Sequence, residues 1–115
     1  MKKIVFYETE NGQIPVKEFL DNLSEKVVQK ITWVLKLISE VDFVPKNYLK
    51  KLVSTNEIWE CRIIFSGNIY RILCFFHTGN LIVLTNGFQK KTQKTPKEEI
   101  LMAEKYMKDY LRRQK

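Results

Sequence analysis

The residues best suited to chemistry fall between Ile58 and Lys94, in the stretch IWECRIIFSGNIYRILCFFHTGNLIVLTNGFQKKTQK. Arg62 and Arg71 interrupt runs that are otherwise Ile, Leu, Phe and Cys. Burying an unpaired charge in such a strand is costly. Each arginine must therefore either pair with an acid or face a surface that binds anions. Glu60 is the acid at hand, and a cross-strand ion pair on the sheet surface, worth little, is the plain structural alternative. Two arginines and the following Lys90, Lys91 and Lys94 outnumber that single acid, and Phe88 lies among them. Cations beside an aromatic ring suit RNA: phosphate contacts together with a face on which a base can stack.

These side chains have to be gathered by strands. Trp59, Cys61, Ile63 and Phe65 alternate with Ile58, Glu60, Arg62 and Ile64, and further strands are expected over residues 69–76 and 81–88. Gly67-Asn68 reads as a two-residue hairpin loop, which sets Ile64 opposite Arg71 and Cys61 opposite Cys74. The next turn, at Thr78-Gly79-Asn80, pairs Arg71 with Phe88 or with Asn86 according to its loop. Because side chains alternate across a sheet, either choice collects Glu60, Arg62, Arg71, Asn86, Phe88 and Lys90 on one face.

The remaining elements read as follows. Residues 3–7 (KIVFY) form a first strand. Pro15 suits a first helical position, and Val16, Phe19, Leu20 and Leu23 make an amphipathic helix over 15–23. Ser24 caps a second helix running to about Val41, with Val27, Val28, Ile31, Val34, Leu35 and Ile38 on one side. Residues 42–55 form a connector made basic by Lys46, Lys50 and Lys51. Thr95-Pro96-Lys97-Glu98 has the form of a capping box opening a final helix. Its apolar stripe is Ile100, Ala103, Met107, Tyr110 and Leu111. The expected fold class is α+β: a strand, a two-helix hairpin, a three-stranded antiparallel meander and a C-terminal helix.

With 115 residues, 44% hydrophobic and 12% aromatic, the chain reads as one folded domain over residues 1–115. No run reaches the roughly 18 apolar residues of a membrane span, and the N-terminus lacks a secretory apolar segment, so a cytoplasmic protein without membrane association is expected. The net charge of +7 is uneven: residues 89–115 carry +5 and the first 88 carry +2. A basic C-terminal quarter points to phosphate, as RNA or DNA. Cys61 and Cys74 have no CxxC spacing, and one histidine cannot complete a Cys/His zinc set, so they read as reduced core residues. His77, near a turn, reads as a surface histidine.

The GQIPVKEFL helix start, the IWECRI strand, YRILCFF and the NGFQKKTQKTPKEEI junction together resemble the RelE/ParE superfamily of bacterial toxins, most of all its HigB-like, phage-derived branch. The resemblance runs in order over nearly the whole chain. It implies a RelE-like α+β domain and a type II toxin–antitoxin toxin that cuts mRNA on the ribosome and stops translation. It further implies contacts with ribosomal RNA and a cognate helix-turn-helix antitoxin, with operator DNA reached only through that antitoxin.

Metal-independent RNA cleavage requires a proton to leave the 2′-hydroxyl, charge to be stabilised on the phosphorane, and a proton to reach the 5′-oxygen. The resemblance places Arg71 at the scissile phosphate and Arg62 as a phosphate-positioning cation. Glu60 is the nearest candidate base, or orients an arginine. Lys90 and Lys91 are candidates for phosphate binding and for the leaving-group proton. Phe88 is a stacking platform, Asn86 a neighbouring substrate contact, and Lys94 an RNA contact, as is Lys97; the Arg112-Arg113 pair is either an RNA contact or a complement to the dipole at the helix C-terminus. No cofactor or metal is expected. Many relatives carry His-Gly-Phe where this chain has Asn86-Gly87-Phe88, and an amide cannot shuttle a proton at neutral pH. Two other classes stay open: a ParE-like gyrase inhibitor acting by protein binding, and a nucleic-acid-binding module without catalysis. On this reading Arg71→Ala should restore growth to cells expressing the protein while leaving it folded, as checked by growth after induction and by circular dichroism.

Overall fold

The computed structural model describes residues 1–55, 57–90 and 95–114. In chain order the elements are β1 (Lys3–Phe6), α1 (Pro15–Asp21), α2 (Glu25–Glu40), β2 (Leu49–Lys51), β3 (Trp59–Phe65), β4 (Asn68–His77), β5 (Leu81–Lys90) and α3 (Lys97–Arg113). The fold is α+β, a five-stranded mixed sheet in the order β1-β5-β4-β3-β2 with three helices. Strands β2 to β5 are antiparallel to their neighbours, whereas β1 pairs with β5 in parallel.

Two features depart from the expected plain meander. The connector over residues 42–55 contains β2, whose three residues are too few for a periodic signal; it forms because Leu49, Lys50 and Lys51 pair with Cys61, Glu60 and Trp59. The parallel seat of β1 beside β5 is a long-range pairing that local pattern cannot reveal. Helices α1 and α2 cover one face, where Ile31, Val34 and Ile38 meet Cys61, Ile63 and Ile72. Helix α3 covers the other, where Ala103 meets Ile58, Leu73, Phe75 and Val83. Tyr106 joins that contact, while Leu111, expected in the stripe, is exposed because it lies round the helix from Ala103.

The first hairpin turns at Ser66 and Gly67, both at positive φ (51° and 78°), the backbone that matches the twist of two paired strands. Phe65 thus pairs with Asn68, two residues away from the register implied by a Gly67-Asn68 loop. A shift of two keeps every side chain on its face. Arg71 remains with Glu60 and Arg62, now directly opposite Arg62 rather than Ile64. Cys61 and Cys74 become diagonal neighbours, buried and free, with sulfurs 3.8 Å apart; the contact with Cys61 and then burial hold the Cys74 thiol well above its ordinary range.

In the second hairpin His77 pairs with Leu81 around a three-residue loop, and an extra residue, Thr85, bulges from β5 between Leu84 and Asn86. The bulge switches the face served by alternate residues. Val83 faces α3 before it, and Asn86 and Phe88 face α3 after it, so Arg71 pairs with Phe88. On the opposite face, a Cβ on Gly87 would lie 2.4 Å from Cδ2 of Phe19, so the bare strand at Gly87 is what lets α1 pack flat there.

Helix α3 is secured at both ends. Pro96, not Thr95, is its N-cap, and no side chain caps it; the Thr95 hydroxyl is drawn to the sheet instead. At the far end the Tyr7 hydroxyl donates to Asp109 Oδ2 at 2.6 Å, Arg112 bridges Asp109 and Glu10, and Arg113 reaches the Glu8 carbonyl. Arg112 and Arg113, read as RNA contacts, therefore clamp α3 to the segment after β1. Burial and then Asp109 push the Tyr7 hydroxyl up to about 12 from 10.0, while Tyr7, the main cause, holds Asp109 low. The unfolded chain loses the Tyr7 proton near pH 10 and the folded one keeps it, so this contribution to stability is full below pH 10 and is lost as pH rises toward 12. Urea denaturation at alkaline pH should show a falling stability, and the fall relative to neutral pH should be smaller in Tyr7→Phe than in the parent, the remainder coming from Cys74 and Tyr106.

Candidate functional site

Where the sheet runs out from under α3, its face changes from apolar to charged. The row beneath the helix carries Leu73 and Glu60 with Lys50 at its edge, and the next row carries Arg62 directly opposite Arg71. Period-2 alternation forces these four side chains to one side. Glu60 and Arg71 are 1% and 5% exposed and form a buried ion pair, Arg71 Nη1 donating to Glu60 Oε1. The second carboxylate oxygen accepts from the Thr95 hydroxyl at 2.5 Å. Both oxygens of Glu60 are thus engaged, one by a strand and one by the segment that leads into α3.

Arg62 has no such partner. It takes part in no ion pair among the described residues, although it sits opposite another arginine, an arrangement that like charges disfavour. The Nε atoms of Arg62 and Arg71 are both buried without a hydrogen-bond partner among the described residues. A buried donor left unmade costs roughly 1–3 kcal/mol, and more when charged. Such orphans call for an acceptor that enters from outside.

The two arginines line a cavity of about 600 Å³ with Glu60, Lys50, Lys51, Thr95 and Lys97, closed by Leu52, Val53, Ser54 and Ile100. Its walls carry five cationic side chains and one carboxylate, and that carboxylate is already paired. Field lines converge in a cleft of one sign, so the cavity attracts anions. The first turn of α3 stands at its rim. Among the described residues, no three His, Cys, Asp or Glu side chains are placed to hold a metal ion.

Of the residues marked in the sequence, Glu60, Arg62 and Arg71 meet at this cavity. Asn86 does not line it: its amide donates to the Glu99 carbonyl (3.2 Å) and to Glu99 Oε1 (3.0 Å), tying β5 to α3. The Thr85 hydroxyl lies 2.7 Å from Asn86 Oδ1 and 3.0 Å from the Leu73 carbonyl, donating to one at a time. Phe88 packs half-buried against the α3 side of the core, outside the cavity lining. The Lys90 backbone ends β5 opposite Ile69, and Lys91 and Lys94 lie outside the described residues. His77 sits at the other end of β4, edge-on to Tyr110. Sequence reasoning passed over Lys50 and Lys51 as site residues. Their signal was the basic pair beside Leu49, and its meaning depended on a strand too short to foresee.

Burial changes what Arg71→Ala would do. Removing one partner of a buried pair leaves an uncompensated charge and costs about 3–5 kcal/mol. Contrary to the sequence expectation, that variant should lose much of its stability. Replacing both partners with apolar residues, Glu60→Leu with Arg71→Met, should recover most of the loss in urea denaturation.

The family model for Phage derived protein Gp49-like (DUF891) matches residues 18–108. The match runs from within α1 through most of α3, and so takes in every described residue of the cavity. No curated protein gives a significant match.

Proposed function

The chain belongs to the Gp49-like phage-derived protein family, which is related to toxin–antitoxin systems, and from that premise we propose that it is a ribosome-dependent mRNA endoribonuclease of the RelE/HigB kind. The observation that carries the reading is the pair Arg62 and Arg71, set side by side over a cationic cavity whose single acid, Glu60, sits in the neighbouring row. Such an arrangement is unfavourable in an empty protein and favourable around a phosphodiester.

In the proposed reaction the 2′-hydroxyl oxygen attacks the adjacent phosphorus and the bond to the 5′-oxygen breaks. A 2′,3′-cyclic phosphate and a 5′-hydroxyl result: the 2′-hydroxyl proton passes to solvent water, and a proton from a lysine ammonium reaches the 5′-oxygen, the lysine being reprotonated from solvent. Arg62 and Arg71 stabilise the charge that grows on the non-bridging oxygens. Glu60, with both oxygens occupied, orients Arg71 rather than acting as base. Lys50, Lys51 and Lys97 are the described ammonium groups placed to bind flanking phosphates or protonate the leaving oxygen. Lys91 keeps its role as a candidate proton donor, with Lys90 and Lys94 as RNA contacts. A cognate antitoxin would silence the protein, and ribosomal RNA would supply the rest of the docking surface.

Arg62 separates function from folding, since removing it relieves like-charge repulsion and breaks no ion pair among the described residues. Arg62→Gln should be as stable as the parent or more so, yet cut message on ribosomes about 10²–10³-fold more slowly and fail to arrest growth. Intact messages in arrested cells, together with inhibited DNA supercoiling, would replace this reading by gyrase inhibition.

A further inference from the structure

The residues lining the cavity fall into two chemically distinct groups. One is the guanidinium pair, whose two Nε–H donors have no partner among the described residues. The other is the aliphatic set Leu52, Val53 and Ile100. Leu52 and Ile100 belong to the α3-side core and cannot move far. Val53 is 97% exposed, in the short link between β2 and β3, and contributes nothing to that core. None of the described lining residues is aromatic. The aromatic candidate, Phe88, lies under α3 instead. The volume of about 600 Å³ falls within the roughly 300–1,000 Å³ of small-molecule sites, room for one nucleotide and not a run of several.

We infer that the cavity is a one-nucleotide site: a phosphate held between Arg62 and Arg71, and its base laid on the shelf of Leu52, Val53 and Ile100. The inference rests on the nuclease reading and deepens it, because it assigns base preference to the β2–β3 link rather than to a stacking ring. An aliphatic shelf recognises a base by the area it covers. Purines cover more than pyrimidines and bind more tightly, by roughly threefold to tenfold. The ligand class is the nucleoside 3′-phosphate, the form that opening of a cyclic phosphate product would leave.

The test uses the whole protein without ribosomes, titrated calorimetrically at low salt with adenosine 3′-monophosphate, uridine 3′-monophosphate and base-free ribose 5-phosphate. The expected order of affinity is adenosine, uridine, then ribose phosphate, about tenfold from first to last. Val53→Ser, at a fully exposed position, should erase most of that spread and leave ribose phosphate binding as it was. Arg62→Gln should weaken all three alike. Equal affinity for adenosine 3′-monophosphate and ribose 5-phosphate would overturn the inference. So would no binding of any probe at millimolar concentration, or a spread that survives Val53→Ser and vanishes in Phe88→Leu. A protein that shows the spread but cuts no message on ribosomes would keep the nucleotide site and lose the nuclease reading. One that cuts message but shows no spread would do the reverse.

Discussion

The buried pair of Glu60 and Arg71 is the constraint around which this protein is arranged. It joins β3 to β4 across the sheet, and the hydroxyl of Thr95 joins the same carboxylate to the start of α3. A carboxylate at 1% exposure is tolerable only with its oxygens satisfied, so strand register and the position of Thr95 before α3 are fixed together. Asn86 repeats the arrangement one strand over, holding the first turn of α3 through Glu99. The mouth of the cavity is thus placed by hydrogen bonds at one end of α3, and by the Tyr7–Asp109–Arg112 cluster at the other.

Around that fixed pair, charge is left deliberately unbalanced. A protein selected for stability alone would not set Arg62 opposite Arg71, nor leave both Nε atoms without acceptors among the described residues. Interactions that would lower the energy of the free protein are withheld there, and a bound anion would supply them. Binding sites are often the places where local rules of packing and pairing are broken.

How much of this could be read from the amino acids depends on the range of each interaction. The helices were legible because their signals are local: Pro15, the Ser24 cap and the 3.6-residue spacing from Val27 to Ile38 all lie within a few turns. The shared face of Glu60, Arg62 and Arg71 was legible because alternation survives a two-residue error in the loop. Three things were not. The strand β2 exists only through its pairing with β3. The parallel seat of β1 depends on a partner far along the chain. Thr95 has the sequence of a cap, but a buried carboxylate competes for its hydroxyl and wins, because leaving Glu60 Oε2 unsatisfied would cost more than an uncapped helix end open to water. Phe88 looked like a stacking platform for a related reason. Its face was assigned correctly, but how far α3 reaches along that face cannot be read from a pattern.

The pairing of Lys3 with Leu81 also has a temporal meaning. β1 has no neighbour among the described strands until β5 is made, and the described rim of the cavity is completed only by Thr95, Lys97 and Ile100. Contacts of such long sequence separation form late and slowly. If the target is the translating ribosome, a nascent chain cannot attack the machine that is making it until α3 has been made, since competence requires that helix.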